Sequence, residues 1–494
     1  MLAAPDRGGD TPVPVLPSDA SPAFRDVARA LVDRMTEHRI PGAAVGVWFG
    51  GREEHAAFGV ASMNTLQPVG PDTLFQIGSL TKTYTATAVW RLIERGQIAL
   101  DAPVRTYLPA LGMADETTAA GLTIAHLLTH CGGWYGDDGT YTGEDDEAIA
   151  RFVATRLPQL PQIFPLGKWF SYNNSGFVLL GRLIEVVTGS YYDAAMAELV
   201  FDPLEAHDTL LDRSAVLRRR YADGHYAGQI NGVHAVAVQT PLWLPRSINP
   251  AGGIWSTSRD VLRYARMHMS EPTMDNAPLL SPQALQRMQQ PAIGVAGLDV
   301  SMGHGWFVQD VDGQRVIMHN GDTGGQHTTF IAVPEKRFAL VLMVNNVLAG
   351  VWAELATLDA ALSTYPGMAS LAGKVGIPRA ILAPQEVPAI TVPTHELAQY
   401  AGRFTDPGTS IEVVLNADGL TATTQPLRQQ QTYQPALVPP ASESPTPMTF
   451  LAADEGVLGR VRVPFVRDDA DQVSWISSGL RLVPRQPAES APNT

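Results

Sequence analysis

Leu74-Phe75-Gln76-Ile77-Gly78-Ser79-Leu80-Thr81-Lys82-Thr83-Tyr84-Thr85-Ala86-Thr87-Ala88-Val89-Trp90-Arg91-Leu92-Ile93-Glu94-Arg95-Gly96 is the stretch on which the fold turns. Leu74 to Ile77 is a short apolar approach to Gly78-Ser79. From Ser79 to Arg95 the pattern is helical, and Gly96 stops it where a helix C-terminus accepts glycine. Lysines occur at 82, 168, 336 and 374 only, and Lys82 alone has a serine three residues upstream. Residues three apart on a helix share a face. A serine hydroxyl becomes a useful nucleophile when a base takes its proton, and a lysine in a closed site has a lowered pKa suited to that work. Lys82 enters a helix too apolar to lie on the surface, so a buried lysine there needs a function. A Ser-x-x-Lys spacing by itself is common, so context carries the inference.

Two further elements supply that context. Tyr172-Asn173-Asn174 lies in a turn-rich stretch, residues 170–176, before an apolar helix. A tyrosine beside a cation can exchange its proton as general base and acid. Asn174 is placed to bond a substrate amide or the lysine, whereas Asn173 reads as a helix cap. His319-Asn320-Gly321 closes a strand read as Arg315–His319, where an edge beside the serine could supply an oxyanion N–H. His130-Cys131-Gly132 repeats the His-x-Gly spacing at a helix end and reads as structural.

Together these elements resemble the serine β-lactamase and penicillin-binding-protein superfamily, most of all its class C-type branch with DD-carboxypeptidases, D-aminopeptidases and esterases. Residues 122–130, 177–185 and 250–257 are similar to other landmarks of that family, and the resemblance spans roughly residues 24–362. It implies Ser79 as nucleophile and Lys82 and Tyr172 as proton carriers. It also implies an oxyanion hole from the N–H groups of Ser79 and Asp322, with Asn174 and His319 orienting the substrate beside Gly321. It calls for no metal or cofactor. Two departures bear on substrate. His319 stands where β-lactamases carry lysine, and Asp322 is acidic where a substrate carboxylate would approach.

The expected fold is α+β: an antiparallel sheet flanked by helices plus an all-helical region, followed by a small all-β barrel-like domain. Residues 1–22 read as a flexible tail, 23–363 as the catalytic domain, 364–394 as a proline-rich linker, 395–485 as the barrel or lipocalin-like domain, and 486–494 as a tail. Ala23 to Glu37 reads as an amphipathic helix. Gly50-Gly51 joins two strands, 43–49 and 55–60. Helical segments are expected at 123–130, 145–156, 175–188, 190–199, 258–269 (capped by Ser258) and 351–362, and strands at 305–311, 315–319, 328–333 and 338–345. In the C-terminal part, 411–415 and 420–424 flank the hairpin signal Asp418-Gly419, and strands follow at 457–465 and 473–476.

Composition bounds the rest. With 494 residues, 45% hydrophobic and 17% charged, the chain can bury a sizeable core. The net charge of −14 excludes the basic footprint of nucleic-acid binding. One cysteine, Cys131, allows neither an internal disulfide nor a cysteine-based zinc site. No window approaches a membrane span, and residues 1–22 lack a signal's basic start and apolar run. The expectation is therefore cytoplasmic, or periplasmic or secreted had a signal been removed. The expected partner is a small-molecule or short-peptide substrate, with a homo-oligomer left open. Peptidase/amidase and esterase activities stand closest, β-lactamase third. The rival of another class is a catalytically silent binding protein on the same fold. The stretch Gly136 to Glu147, with six acids, could draw a substrate ammonium or be a solvated loop and an acid-rich helix N-terminus. Trp134, Tyr135 and Trp255 could wall a pocket or simply pack.

Overall fold

The computed structural model describes residues 16–230, 233–269, 278–382, 392–417, 419–426, 436–438, 449–452 and 462–487. Eight strands form the main sheet: β1 Gly42–Phe49, β2 Arg52–Gly59, β3 Ile293–Gly294, β4 Ser301–Met302, β5 Phe307–Val311, β6 Gln314–Thr323, β7 Gln326–Val333 and β8 Phe338–Val344. Their spatial order is β2-β1-β8-β7-β6-β5-β4-β3, and every pairing is antiparallel. Strands from before and after the helical region therefore share one sheet, as the sequence pattern implies.

Alternation along β1 splits the core in two. Val45 and Val47 face one cluster with Phe24, Val27 and Leu31 of helix α1 (Pro22–Glu37). Ala44 and Trp48 face the other, built on helices α2 (Thr81–Glu94), α3 (Asn174–Thr188) and α4 (Ser258–His268). Helix α5 (Val347–Thr364) lies on the first face against α1, β7 and β8. Contrary to the sequence reading, α5 has the length and mean hydropathy (1.2) of a membrane span. It is instead a packed helix, with Ala353, Glu354, Leu358 and Leu362 buried.

Several expectations need correcting. α4 is capped by Thr257, whose hydroxyl accepts from Asp260 N–H; Ser258 is its first residue. The expected tail contributes to the fold from residue 16 onward. Ala20 is buried, and Ser21 caps α1 while donating its N–H and hydroxyl to Glu54. The expected linker is in part core: Met368, Leu371, Val375, Ile377 and Ala380 are buried against the α1/α5 side of the sheet. Pro378 breaks nothing because it sits in the first turn of the short helix Ile377–Ile381, where no N–H is required. Residues 383–391, with Pro384 and Pro388, lie outside the described residues, as do residues 1–15, Asp418, 457–461 and 488–494.

The C-terminal strands are β9 Gly402–Thr405, β10 Thr409–Asn416, β11 Gly419–Pro426, β12 Ala436–Val438, β13 Thr449–Ala452, β14 Arg462–Arg467, β15 Val473–Ser478 and β16 Arg481–Pro484. They run in sequence order through one antiparallel meander. A bridge between Phe404 and Arg485 and a bond from Gln486 N–H to Arg403 C=O bring its first and last strands together. Phe404, Ile411, Val413, Phe465, Ile476 and Val483 fill the interior. This module docks on the larger one through Trp475 and Leu482, which pack with Phe164, and Trp475 Nε1 donates to Ile163 C=O at 3.0 Å.

Candidate active site

Ser79 lies in a tight turn, Gly78–Leu80, that opens α2, so Lys82 falls in the helix's first turn directly beneath it. The turn requires Gly78, whose φ is +54° and whose Cβ would stand 2.8 Å from Asp322 N. Across the gap a Cβ on Gly321 would meet Ile77 O at 1.8 Å and Ser79 N at 3.0 Å. Two glycines thus let β6 run flush against the serine turn. β5 pairs with β6 only as far as Met318, which leaves the 319–323 edge free to face that turn. The His319-x-Gly321 motif therefore sits inside a longer strand, not at the end of one.

Lys82 Nζ lies 3.1 Å from Ser79 Oγ and donates to Ala251 C=O at 2.6 Å. The lysine is fully buried. Burial pushes its pKa well below the usual lysine range, and Arg481 pushes in the same direction, opposed by Asp137. The ammonium form is thereby disfavoured at the serine. Tyr172 lies alongside, its ring centroid 4.8 Å from Lys82 Nζ. Burial raises the phenol's pKa, with Ser79 pulling the other way. Its buried hydroxyl has no well-formed hydrogen bond.

Two histidines frame this pair. His319 Nδ1 lies 2.6 Å from Asn320 C=O. A carbonyl only accepts, so Nδ1 carries the hydrogen and the unpartnered Nε2 is a free acceptor. Burial, with Lys82 adding to it, lowers the His319 pKa to about 3 and keeps the ring neutral. His130, read from sequence as structural, stacks on Tyr172 at 4.4 Å between centroids, and its Nδ1 accepts from Asn173 N–H at 2.9 Å. Asn173 caps α3, as its position in the sequence implies.

Asn174 is occupied: its Nδ2 donates to Asp137 at 2.7 Å. Asp137 in turn pairs with Arg481, a residue that sequence reasoning missed. Arg481 opens β16 and reaches the site from the C-terminal module, its guanidinium 5.1 Å from the Tyr172 centroid. The preceding turn is anchored there too. Tyr172 N–H donates to Leu480 C=O at 2.9 Å, and Leu482 N–H donates to Ser171 Oγ at 3.1 Å. The turn glycine Gly479 marks a hairpin, but no local pattern in the sequence points that hairpin at Tyr172.

Five of the six acids in the 136–147 stretch are ion-paired, and the sixth, Glu147, accepts from the Tyr191 hydroxyl at 2.9 Å. Asp137 pairs with Arg481, Asp138 with Arg156, Glu144 with Arg213, Asp145 with Arg151 and Asp146 with Arg246. Its reading as a lure for ammonium groups gives way to that of an ion-paired rim. Trp134 and Tyr135 are buried, and Trp255 packs with Leu74 and Val216 away from Ser79. None of the three lines the cavity of about 360 Å³ over Ser79, whose walls include Asp137, Asn174, Leu244, Ile248, Asp322 and Arg481.

Asp322 Oδ1 lies 2.6 Å from His327 Nδ1, and His327 Nε2 lies 2.9 Å from Glu354 Oε2. Both ring nitrogens face carboxylates, which makes this histidine a cation. Its pKa rises to about 10 because Asp322 and Glu354 outweigh burial. Among the described residues no group of three or more His, Cys, Asp or Glu side chains is arranged to hold a metal ion.

Comparison with known proteins places this geometry. The beta-lactamase family model matches residues 27–362. The chain belongs to the beta-lactamase family. Members of this family are serine hydrolases, and the matched region contains Ser79, Lys82, Tyr172 and His319. The chain is similar to penicillin-binding protein 4 of Amycolatopsis lactamdurans, with 36% identity over 321 residues, 64% of this chain and 83% of that protein. A beta-lactamase of Escherichia coli (strain K12) is 25% identical over 351 residues, 65% of this chain and 88% of its own. Among solved structures, SurE with D-Leu matches with TM-score 0.71 and 22% identity, covering 94% of this chain and 99% of that one. An octameric penicillin-binding protein homologue from Pyrococcus abyssi matches with TM-score 0.61 and 22% identity, covering 93% and 99%. A class C beta-lactamase from Rhodobacter sphaeroides covers only 68% of this chain, at TM-score 0.55 and 26% identity. The beta-lactamase-family fold is thus shared with all three, while the C-terminal module falls within the longer matches.

Proposed function

We propose that this protein is a serine hydrolase that works through an acyl-enzyme on a small amide, peptide or ester, in the manner of a D-aminopeptidase, a carboxypeptidase or a carboxylesterase. The observation that carries this reading is the 3.1 Å approach of Ser79 Oγ to the amine of a fully buried lysine. Neutral Lys82 takes the hydroxyl proton as Oγ attacks the carbonyl carbon. The developing oxyanion is held by the N–H groups of Ser79 and Asp322. Tyr172 gives its phenolic proton to the leaving amine or alcohol and takes the serine proton from Lys82 in exchange, and water then attacks the acyl-enzyme by the reverse route. Neutral His319 offers Nε2 as an acceptor beside the phenol. Support for a substrate with a D-configured residue comes from the SurE neighbour, whose structure holds D-Leu.

Beta-lactamase action is the second reading, favoured by the names of several relatives and weakened by His319, which is neutral and offers no cation to a carboxylate. A homo-oligomer is also proposed, on the octameric Pyrococcus abyssi homologue, and light scattering tests it.

Intact mass after fluorophosphonate treatment, wild type beside Ser79→Ala, tests the chemistry. One adduct lost in the variant is the expected result. Turnover of p-nitrophenyl esters, D- and L-aminoacyl anilides or a cephalosporin would then name the subclass. No adduct and no turnover would leave the binding-protein reading.

A further inference from the structure

We propose that Asp322 holds a protonated amine of the substrate, and that His327 and Glu354 position it for that task. This rests on the acyl-transfer reading above and narrows its substrates to amides, peptides or esters that carry a free ammonium group near the scissile carbonyl.

The cavity over Ser79 is lined by three carboxylates, Asp137, Asp138 and Asp322. Asp137 is held by the Arg481 guanidinium and the Asn174 amide. Asp138 is 1% exposed and paired with Arg156. Asp322 differs from both. Its side chain is 61% exposed, and its hydrogen bond to His327 engages Oδ1 alone. Oδ2 retains its acceptor capacity, and Asp322 is among the residues lining the cavity.

The partner behind it does not cancel its charge. His327 is cross-strand from Asp322 and 1% exposed. It places one positive charge between two carboxylates, Asp322 and the buried Glu354. The three together carry a net negative charge. Glu354 has no solvent and accepts a second bond, from Asn320 Nδ2 at 2.8 Å, so the oxygen open to a new cation is on Asp322. The ring is locked in place: a Cβ on Gly350 would stand 2.5 Å from His327 Cβ, so α5 closes directly onto it. A carboxylate fixed in this way loses little freedom on binding an ammonium. The same residue's N–H belongs to the proposed oxyanion hole, so one short segment fixes both the amine and the carbonyl of an aminoacyl group.

The test compares two esters that differ only in the amine: the p-nitrophenyl esters of leucine (each enantiomer) and of 4-methylpentanoic acid. Wild type is expected to favour one leucine ester in kcat/KM. Asp322→Asn is expected to lower that preference ratio on the order of 10- to 100-fold, the loss of one charge-assisted contact. His327→Gln should lower it in the same direction, mainly through KM, as expected for loss of binding common to ground and transition states. In wild type alone, 3-methylbutylamine should inhibit 4-methylpentanoate ester hydrolysis competitively and 3-methylbutanol should not, which keeps the idea testable if a variant fails to fold. A wild-type ratio at or below one, a ratio unmoved by Asp322→Asn, or equal inhibition by amine and alcohol would overturn it. Failure of the underlying reading looks different: neither ester is turned over and the fluorophosphonate leaves Ser79 unlabelled.

Discussion

Replacing Arg481 with alanine should move the acid limb of the activity profile upward. Lys82 and Arg481 stand on the same phenol ring, Nζ 4.8 Å and Cζ 5.1 Å from its centroid. Their charges are therefore within about 10 Å of each other. At an effective dielectric of about 20, two like unit charges at that distance repel by roughly 1.7 kcal/mol, a little over one pKa unit. Arg481 is 37% exposed, so solvent screens part of this and the expected shift is about half a unit to one unit. The sign follows from the base's role. In the mechanism proposed above Lys82 works only when neutral; removing a neighbouring cation, and leaving Asp137 uncompensated, stabilises its ammonium form. The variant then needs a higher pH to reach the same fraction of neutral amine, and activity on the limb falls roughly 3- to 10-fold. The assay is kcat/KM for a p-nitrophenyl ester from pH 5 to 10. Arg481→Lys retains the charge but not the two-pronged pairing, and should keep the limb near its wild-type position. Asp137→Asn should move it the other way. An Arg481→Ala profile that superimposes on wild type would refute the electrostatic role assigned to the C-terminal hairpin.

Other outcomes follow from the same structure. Gly321→Ala sets a methyl against the backbone oxygen of Ile77, which cannot rotate away. It should cost about 1–3 kcal/mol in stability by calorimetry and 10²-fold or more in kcat through the displaced oxyanion edge. Trp475→Ala removes the docking anchor of the C-terminal module, worth about 3–5 kcal/mol. It should reproduce the Arg481→Ala limb shift; a lowered Tm with an unmoved limb would mean that the hairpin stays seated without it. Burial holds His268 and His319 at about 3 and His304 at about 4, and His130 well below the ordinary value. Their unfolded value is near 6.5, so unfolding takes up protons below that pH and the stability they supply above it is lost as pH falls. Four such groups give a slope of up to about 5 kcal/mol per pH unit near pH 5. Chemical denaturation at pH 7, 6 and 5 checks this, and His268→Gln should remove about a quarter of the slope.

The parts that sequence made legible are those whose chemistry demands a fixed spacing. A lysine three residues after a serine fits one turn of helix, and the structure brings the two side chains to 3.1 Å; that Gly78 and Gly321 are required by two backbones nearly touching shows only in the structure. Past residue 402 the hairpin of β10 and β11 and parts of β14 and β15 were legible from alternation and turn residues, whereas the short strands β9, β12, β13 and β16 were not. The stretch after 364 was not, because Met368, Leu371, Val375 and Ile377 are buried from short turns that impose no helical or strand period. Proline density there reports first-turn positions and loops, not the absence of packing.

Arg481 marks a different kind of limit. Nothing within ten residues of it is periodic in a way that signals an active site, and the Tyr172 motif more than 300 residues earlier reads as complete without it. What makes Arg481 matter is the docking of one module on the other, through Trp475 on Ile163 and Leu480 on Tyr172. That docking brings the Arg481 charge to a place where it adds to the effect of burial, the larger cause, in lowering the pKa of Lys82. In this protein part of that task falls to the C-terminal module. Substitutions at the hairpin, far from Ser79 in sequence, should therefore alter pH dependence before they alter the fold.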